Sequence, residues 1–181
     1  MRLKPILELD DRLSYRLRLV PLESPWRPWA AFLAHSGDSW FWGAGLGLVW
    51  LFGSPDWHTR SAFLIIGIFV LAVVVQVIKF SVRRRRPEGE WGAIYRNHDP
   101  HSFPSGHAAR AAMLMVLGLG LGPPWFGLVL LIWAPLVSAA RVVMGVHYLS
   151  DVLAGFLLGV MMGFVFLAAF PLLQAVAPFL F

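Results

Sequence analysis

The sequence predicts an all-α fold: a polytopic membrane bundle of about five transmembrane helices, preceded by an N-terminal amphipathic helix in the membrane interface. Of the 181 residues, 58% are hydrophobic and only 14% are charged, and the mean hydropathy is +0.67. This composition is far from that of a soluble domain. Charge is concentrated in the first forty residues and between Lys79 and Asp99, so long apolar stretches remain for membrane spans.

Five apolar stretches are candidates for spans, because a bilayer core requires about 20 apolar residues per helix and tolerates shorter ones by local thinning. They cover residues 39–53, which could extend back to residue 30, and 61–80, 107–122, 125–143 and 150–170. Glycines recur inside two of these stretches, at positions 43, 45 and 47 and at positions 155, 159 and 163. In apolar spans such glycines predict close helix packing rather than a nucleotide-binding loop.

The first twenty residues place leucine, isoleucine and valine at near-helical spacing among arginine and aspartate. This pattern predicts a helix lying in the interface, and a plain solvated helix fits it equally well. The segment is too charged for a signal peptide, so we expect it on the mature protein. No internal repeat is visible. We therefore expect an interfacial segment over residues 1–38 and a single membrane-embedded domain over 39–181.

Five spans would bring nearly all the positive charge to one membrane face. The N-terminal segment, the loop 81–106 and the loop 141–149 share that face, and of the 15 Lys and Arg residues only Arg60 falls on the other. Such an excess is typical of the cytoplasmic side, which predicts a multi-pass protein of the cell (inner) membrane with these loops inside the cell. The chain has no cysteine, which excludes disulfides and zinc–cysteine sites.

A basic run follows the second predicted span. Lys79 lies at the end of the span, and Arg83, Arg84, Arg85 and Arg86 follow within seven residues. Taken alone, the run is typical of a polybasic anchor for anionic lipid head groups.

Two further polar clusters lie at predicted helix starts. Ser105, Gly106 and His107 lie at the start of the third span, where a helix N-terminus and its N–H groups favour an anion. If the fifth helix begins near His147, then His147 and Asp151 lie on one face at i and i+4. A carboxylate on one imidazole nitrogen leaves the other free to act as nucleophile or base. Each cluster alone is more often structural.

Together, the three clusters place cations, two histidines, a carboxylate and backbone N–H donors on one membrane face. Phosphoryl transfer requires this set of groups: cations neutralise the phosphate oxygens, a nucleophile attacks in line, and an acid protonates the leaving alkoxide.

The residues also resemble the three-part motif of the type 2 phosphatidic-acid phosphatase (lipid phosphate phosphatase) superfamily. The parts are Lys79 with six residues to Arg86-Pro87, Pro104-Ser105-Gly106-His107, and Arg141 with five residues to His147 and three more to Asp151. The resemblance covers residues 79–151 and implies an integral-membrane lipid phosphatase that forms a phosphohistidine. It implies that Lys79, Arg86 and Arg141 hold the phosphate, assisted by Ser105 and the Gly106 N–H.

For the chemical steps, the resemblance implies that His147 attacks phosphorus, Asp151 orients His147, and His107 protonates the leaving group. It implies no cofactor and no metal. One position departs from the family: Ala140 stands where the motif usually has serine before the arginine, and Ser138 is the residue that could supply a hydroxyl instead. Arg83, Arg84 and Arg85 are not motif positions, and of substrate attraction and head-group binding we favour the second.

Other functions fit parts of the pattern. His98, His101, His107, His147 and Asp151 could in principle bind a metal, although the surrounding cations would repel one. Ser105 could be the nucleophile of an intramembrane protease, but the glycine elbow that precedes such a serine is missing. A lipid phosphotransferase of the same family and a non-enzymatic anionic-lipid-binding protein also remain open.

The expected partners are a lipid phosphate substrate and membrane lipids, and not nucleic acid. Phosphatidate, phosphatidylglycerol phosphate and polyprenyl phosphates or diphosphates all present a terminal phosphate at the interface. The motifs address only that phosphate, so they leave the lipid and the oligomeric state open.

Overall fold

The computed structural model of the chain describes residues 4–18, 23–88 and 99–176. This part contains seven helices and no strand, which confirms the all-α prediction. In chain order the helices are α1 (Lys4–Arg16), α2 (Arg27–His35), α3 (Ser39–Phe52), α4 (Pro55–Val82), α5 (Gly106–Leu121), α6 (Pro124–Val143) and α7 (Leu149–Val176). Four of them begin at the local signals that the sequence carries, with Ser105 as the N-cap of α5 and proline in the first turn of α2, α4 and α6.

Three of the helices, α4, α6 and α7, are long and apolar enough to cross a membrane. The apolar helices α3 and α5 have 14 and 16 residues, or about 21 and 24 Å at 1.5 Å per residue. These lengths fall short of the roughly 30 Å hydrocarbon core. The bundle therefore combines three full spans with two shorter apolar helices, where the sequence predicted about five spans.

Helix α5 lies at the centre of the bundle. Apart from Arg110, its buried residues are small or apolar, and it packs against both α6 and α7. A Cβ at Gly155 or Gly159 would collide with the backbone oxygens of Ser105 and Ala109, and one at Gly163 would lie 2.6 Å from Val116 Cβ. Close packing by the glycines of α7 is thus confirmed. For Gly43, Gly45 and Gly47 of α3 the same prediction is wrong, because nothing lies within 4 Å of an added Cβ.

The first predicted span does not extend back to residue 30. Helix α2 ends at His35, and Asp38 has an extended backbone with ψ 140° before α3 begins. Arg110 of α5 donates a hydrogen bond to the carbonyl oxygen of Gly37 in this elbow. A Cβ at Gly37 would lie 3.0 Å from Val137 Cγ1. The elbow between α2 and α3 is therefore packed into the bundle.

Helix α1 has the amphipathic character that the sequence predicts, with its polar face toward the protein. Asp10 and Ser14 are buried, whereas Ile6, Leu7 and Leu9 are more than half exposed. Helix α1 contacts the start of α7, and α2 packs against α6. The boundary at residue 38 between an interfacial segment and a membrane domain stays a prediction.

The last helix, α7, starts at Leu149, one residue before the predicted span start at residue 150 and two residues after His147. Gly145 follows α6 and has φ 67°. Glycine adopts this left-handed backbone conformation without a steric cost. Asp151 accepts a hydrogen bond from the backbone N–H of Tyr148 at 3.0 Å, as the third residue of a capping box does. His147 therefore lies in a loop and still lies near Asp151.

Candidate active site

A cavity of about 170 Å³ opens where α4 ends and α5 begins. Its polar end is formed by Lys79, Asp99, His107, Arg110 and His147. Its other wall follows α4 from Val75 to Ile68 and is apolar. Eleven residues of α4 separate Lys79 from Ile68, about 16 Å along the helix axis. The cavity therefore joins a charged end to an apolar wall inside the bundle.

His147 and Asp151 form a buried pair, with exposures of 1% and 0%. Nδ1 of His147 lies 3.5 Å from Oδ2 of Asp151, and Nε2 lies 3.1 Å from Nη1 of Arg86. An arginine can only donate hydrogen bonds, so Nε2 carries the lone pair and the ring proton resides on Nδ1, toward the carboxylate. This tautomer leaves Nε2 as the nucleophilic atom.

The electrostatic setting of His147 keeps its imidazole neutral. Burial is the largest cause, and the positive charges of Arg86, Arg141 and Lys79 add to it, so the pKa of His147 lies well below its ordinary value. Because a protonated imidazole has no lone pair to attack with, this shift keeps the ring in the form that a nucleophile needs.

Two of the predicted phosphate-binding cations meet at one carboxylate. Lys79 and Arg86 are each 4% exposed, and both contact Oδ2 of Asp99, Lys79 through Nζ and Arg86 through Nη2 at 2.7 Å. Nε of Arg86 also donates to the carbonyl oxygen of Asp99 at 2.7 Å. Asp99 thus occupies a position between two cations that would suit a phosphate oxygen. No sequence motif marks Asp99 as part of the site.

Arg141 lies on the side of the site that faces α2. It is 1% exposed, and its Nη1 donates to the carbonyl oxygen of Ala34 at 3.3 Å. Its own carbonyl oxygen accepts the N–H groups of Val146 and His147. Arg141 therefore supplies positive charge and also anchors the loop that carries the nucleophile.

The second motif lies at the N-terminus of α5. Gly106 and His107 line the cavity. Ser105 is fully buried, and its Oγ accepts from the N–H of Ala108 at 3.5 Å, while its N–H donates to the carbonyl oxygen of Asp151. Ser105 therefore caps α5 and ties it to α7, a contact that disfavours the protease nucleophile considered above.

A second carboxylate, which no sequence motif marks, accompanies His107. Nε2 of His107 lies 2.5 Å from Oδ1 of Asp38 in the α2–α3 elbow, and Oδ2 of Asp38 lies 3.3 Å from Nδ1 of His35. Burial raises the pKa of Asp38, but the hydrogen bonds and charges of His107 and His35 outweigh it and lower the pKa to about 2. Sixty-nine residues separate Asp38 from His107, so no local spacing could have revealed the pair.

The basic run divides into three directions after α4. Arg83 ends the helix in the left-handed conformation with φ 53°, as a helix C-terminus often requires. Arg86 turns into the site, and Arg83 and Arg85 are exposed. Arg84 turns toward α7, where Nη1 donates to Oδ1 of Asp151 at 2.8 Å. Head-group binding is therefore the wrong interpretation for Arg84, which forms an internal ion pair.

The remaining sequence predictions have plain outcomes. The hydroxyl of Ser138 donates to the carbonyl oxygen of Ala134 within α6, so it does not replace the motif serine that is missing at Ala140. His98, one of the candidate metal ligands, lies outside the described residues. Among the residues that the structure describes, no three His, Asp or Glu side chains gather as a metal site would require.

Comparison with known sequences gives a consistent family. The family model of the PAP2 superfamily matches residues 60–174. An undecaprenyl-diphosphatase of Sulfolobus acidocaldarius is 34% identical over 133 residues, which cover 71% of this chain and 63% of the relative. A decaprenylphosphoryl-5-phosphoribose phosphatase of Mycobacterium tuberculosis is 37% identical over 114 residues, covering 60% of this chain and 58% of the relative. The chain thus spans about three fifths of the length of these relatives.

Two solved structures share the fold. A transmembrane PAP2-type phosphatidylglycerolphosphate phosphatase from Bacillus subtilis superposes with a TM-score of 0.67 at 25% identity, covering 90% of this chain and 84% of that one. LpxE of Aquifex aeolicus superposes with a TM-score of 0.66 at 25% identity, covering 90% and 94%. With its apolar helices, its buried His–Asp pair and a family match over more than half of its length, the chain is an integral membrane protein that belongs to the PAP2 superfamily.

Proposed function

We propose that the protein is a metal-independent lipid phosphatase that removes a terminal phosphate from a lipid phosphate monoester or diphosphate. The observation that carries the proposal is the state of His147: Nε2 bears its lone pair beside Arg86, and Nδ1 faces Asp151. A neutral imidazole beside buried cations is suited to attack a phosphate.

In the first step the phosphate binds among Lys79, Arg86 and Arg141, assisted by the N–H of Gly106, and takes the position of the Asp99 carboxylate. Nε2 of His147 attacks phosphorus, an N–P bond forms, and the P–O bond to the lipid breaks. His107 gives its proton to the leaving oxygen. The cations stabilise the charge on the equatorial oxygens as it is redistributed.

In the second step water attacks the phosphohistidine. His107, now deprotonated, accepts the proton of the water, the N–P bond breaks, and inorganic phosphate leaves. His147 and His107 return to their starting states, so no cofactor or metal has to enter the cycle. Positive charge already occupies the place where a metal ion would otherwise balance the phosphate.

Asp38 serves His107 in this scheme. A carboxylate on one nitrogen of an imidazole favours the protonated ring, and a general acid must carry a proton before it can donate one. Asp38 stays ionised at every pH suited to an assay, because its pKa is about 2. It therefore positions His107 and stabilises its protonated form.

The lipid is expected to bind along the apolar wall of the cavity, with Val75, Leu71 and Ile68 of α4 against its first carbons. Relatives of the chain act on undecaprenyl diphosphate and on a decaprenyl phosphoribose phosphate, as their names state. We therefore propose polyprenyl phosphates and diphosphates as the first substrates to test.

The function is tested by phosphate release from purified protein over a panel of lipids. The panel contains undecaprenyl diphosphate, undecaprenyl phosphate, phosphatidate and phosphatidylglycerol phosphate, each in detergent with excess chelator. We expect release from at least one lipid, and loss of release in His147→Ala. A purified, folded protein that releases phosphate from none of them would contradict the proposal.

The site is proposed to face the cytoplasm of the cell membrane, on the charge asymmetry alone. Glu88→Cys places a single thiol in an exposed position after α4, and Asp56→Cys places one in the exposed first turn of α4, at its opposite end. The native chain has no cysteine. In intact cells an impermeant maleimide should label Asp56→Cys and not Glu88→Cys. The reverse pattern would place the site outside.

A further inference from the structure

The inner face of α1 reaches the catalytic carboxylate through one arginine. Arg84 donates from Nη2 to Oδ2 of Asp10 at 2.6 Å and from Nη1 to Oδ1 of Asp151 at 2.8 Å. Its guanidinium also lies 3.9 Å from the ring centre of Tyr148. Resting on the proposed function, we propose that Asp10 of α1, acting through Arg84, positions the Asp151 carboxylate against His147.

Asp10 is built into the start of α7. Its Oδ1 accepts from the N–H of Ser150 at 3.0 Å, and its Oδ2 accepts from the Ser150 hydroxyl at 2.5 Å. It is 9% exposed. Burial raises the pKa of Asp10, but the hydrogen bonds of Ser150 and Arg84 outweigh it and hold the pKa below its ordinary value. Asp10 is therefore an anion at neutral pH, bound to the first turn of α7.

Ser14, one helical turn further along α1, makes a separate contact. Its Oγ accepts from the N–H of Leu149 at 2.8 Å. The N–H groups at the start of a helix have no partners within that helix. Here side chains of α1 accept hydrogen bonds from the first N–H groups of α7. Ser14 attaches α1 to α7 without touching Arg84 or Asp151, which makes the two contacts experimentally separable.

Arg84 helps to fix which oxygen of Asp151 faces the nucleophile. Arg84 binds Oδ1, while Oδ2 accepts from the N–H of Tyr148 and faces Nδ1 of His147. The Ser102 hydroxyl is a further hydrogen-bond partner of the carboxylate. Asp10 accepts from Nη2 of Arg84, so the positive charge of Arg84 is divided between the carboxylates of Asp10 and Asp151. Without Asp10, the full charge of Arg84 would act on Asp151 and weaken its support of the ring.

None of the three residues Asp10, Arg84 and Asp151 lines the cavity. Loss of Asp10 should therefore change the rate of the chemical step more than substrate binding. The outward residues of α1 are apolar and exposed, as expected for a helix that lies in the membrane interface. Through α1, the position of the catalytic carboxylate depends on a helix seated at the lipid surface.

The test is a double-mutant cycle measured by phosphate release from undecaprenyl diphosphate in detergent. We expect Asp10→Asn to lower kcat about 10-fold with KM changed less than twofold. In an Asp151→Asn background the same substitution should lower kcat by less than about twofold, because residues that act through one another are not additive. Equal fold-losses in both backgrounds, or no loss in the native background, would overturn the proposal.

Two further variants separate positioning from attachment. Glu8→Gln removes the same charge from an exposed position on α1 and should leave kcat unchanged. Ser14→Ala weakens the attachment of α1 but keeps the Asp10–Arg84 pair, so its kcat should stay close to that of the wild type. A loss in Ser14→Ala equal to that in Asp10→Asn would overturn the proposal in favour of simple loosening. A wild type inactive on every lipid would contradict the proposed function instead.

Discussion

Two histidines face the same cavity, and each has a carboxylate on one ring nitrogen, but the two pairs differ in setting. His147 and Asp151 are four residues apart and fully buried, with Nδ1 at 3.5 Å from Oδ2. His107 and Asp38 are sixty-nine residues apart, with Nε2 at 2.5 Å from Oδ1, and their side chains are 14% and 21% exposed. Cations lie near both rings, and the second pair also continues to His35 at the surface.

These settings suit different tasks. Burial and nearby cations lower the pKa of both imidazoles below the ordinary value. At His107 the ionised Asp38 carboxylate opposes this shift and favours a ring that gains and loses a proton, whereas at His147 the cations reinforce it and keep a lone pair for attack. We call His147 and Asp151 the closed pair and His107 and Asp38 the open pair. The contrast assigns the nucleophile to the closed pair and the general acid to the open pair. Substitutions in the two pairs should therefore fail in different ways.

The largest effect is expected at the closed pair. His147→Ala should lower kcat by roughly three orders of magnitude or more, because the covalent route needs the attacking nitrogen. Asp151→Asn should be milder, since it removes orientation and charge but keeps that nitrogen. Steady-state phosphate release with circular dichroism as a check on folding gives both values. A folded His147→Ala protein with near wild-type turnover would remove the basis for the assignment.

The open pair should show a dependence on the leaving group. His107→Ala should lower kcat on an alkyl phosphate lipid about 10²- to 10⁴-fold, as removal of a general acid does. An aryl phosphate such as p-nitrophenyl phosphate departs without protonation, so on this substrate the loss should be much smaller. His147→Ala serves as the control, because it should lose both activities. Equal losses on both substrates in His107→Ala would mean that His107 is not the acid.

The cations between the pairs should determine the affinity for transition-state mimics. Vanadate should inhibit competitively, and chelators should leave activity unchanged. Arg141→Lys should raise the vanadate Ki by about 10²-fold, because an ammonium cannot make the two parallel hydrogen bonds of a guanidinium. Inhibition curves with and without chelator supply the measurement. Activity that disappears in chelator and returns with a divalent metal would contradict the scheme.

Asp38→Asn should have an intermediate effect that follows the open pair. We expect kcat on a lipid phosphate to fall roughly 10-fold, since His107 loses a charge partner but keeps its ring. The loss should shrink on p-nitrophenyl phosphate, as for His107→Ala. Asp56→Asn, an exposed carboxylate at the far end of α4, is the matched control. A loss of kcat that is identical on both substrates would show that Asp38 does not act through His107 as the general acid.

The smallest effect concerns stability and pH. The pKa of His147 is lowered in the folded protein, so below about pH 6.5 the unfolded chain binds a proton there that the folded chain does not. The folded protein therefore loses stability as pH falls through this range. The melting temperature of His147→Gln should fall less than that of the wild type. Melting temperatures in detergent at pH 7.5 and 5.5 test this. A larger fall in melting temperature in His147→Gln than in the wild type would contradict the lowered pKa of His147.

The sequence predicted that His147 and Asp151 lie close together because the two residues are only four positions apart. Residues three and four apart are neighbours along a helical segment, and the motif spacing between Arg141 and Asp151 places charge beside the ring. The prediction succeeded even though α7 starts two residues after His147, because Asp151 reaches back over the first turn. Helix starts were also recovered at Ser105 and Pro124, but α4 begins at Pro55, six residues before the predicted span.

The open pair and the α1 contacts were beyond sequence reasoning for a physical reason. Asp38 and Asp10 meet their partners only after α2, α3 and α1 have packed against the bundle, and no periodicity records that packing. Arg84 was similarly misjudged, since a run of arginines does not show that one of them turns inward. The glycines of α7 recur every four residues and therefore share one helix face, which packs against α5, whereas those of α3 recur every second residue and do not all share one face.

The central claim, that His147 of the closed pair is the nucleophile, is tested most directly by trapping the phosphoenzyme. Protein mixed with a ³²P-labelled lipid phosphate is quenched within milliseconds in alkaline detergent, which preserves phosphohistidine, and the label is located by peptide mass spectrometry. We expect an acid-labile phosphate on His147 in the wild type and none in His147→Ala. Label on another residue, or rapid turnover with inversion at phosphorus and no labelled protein, would contradict the account.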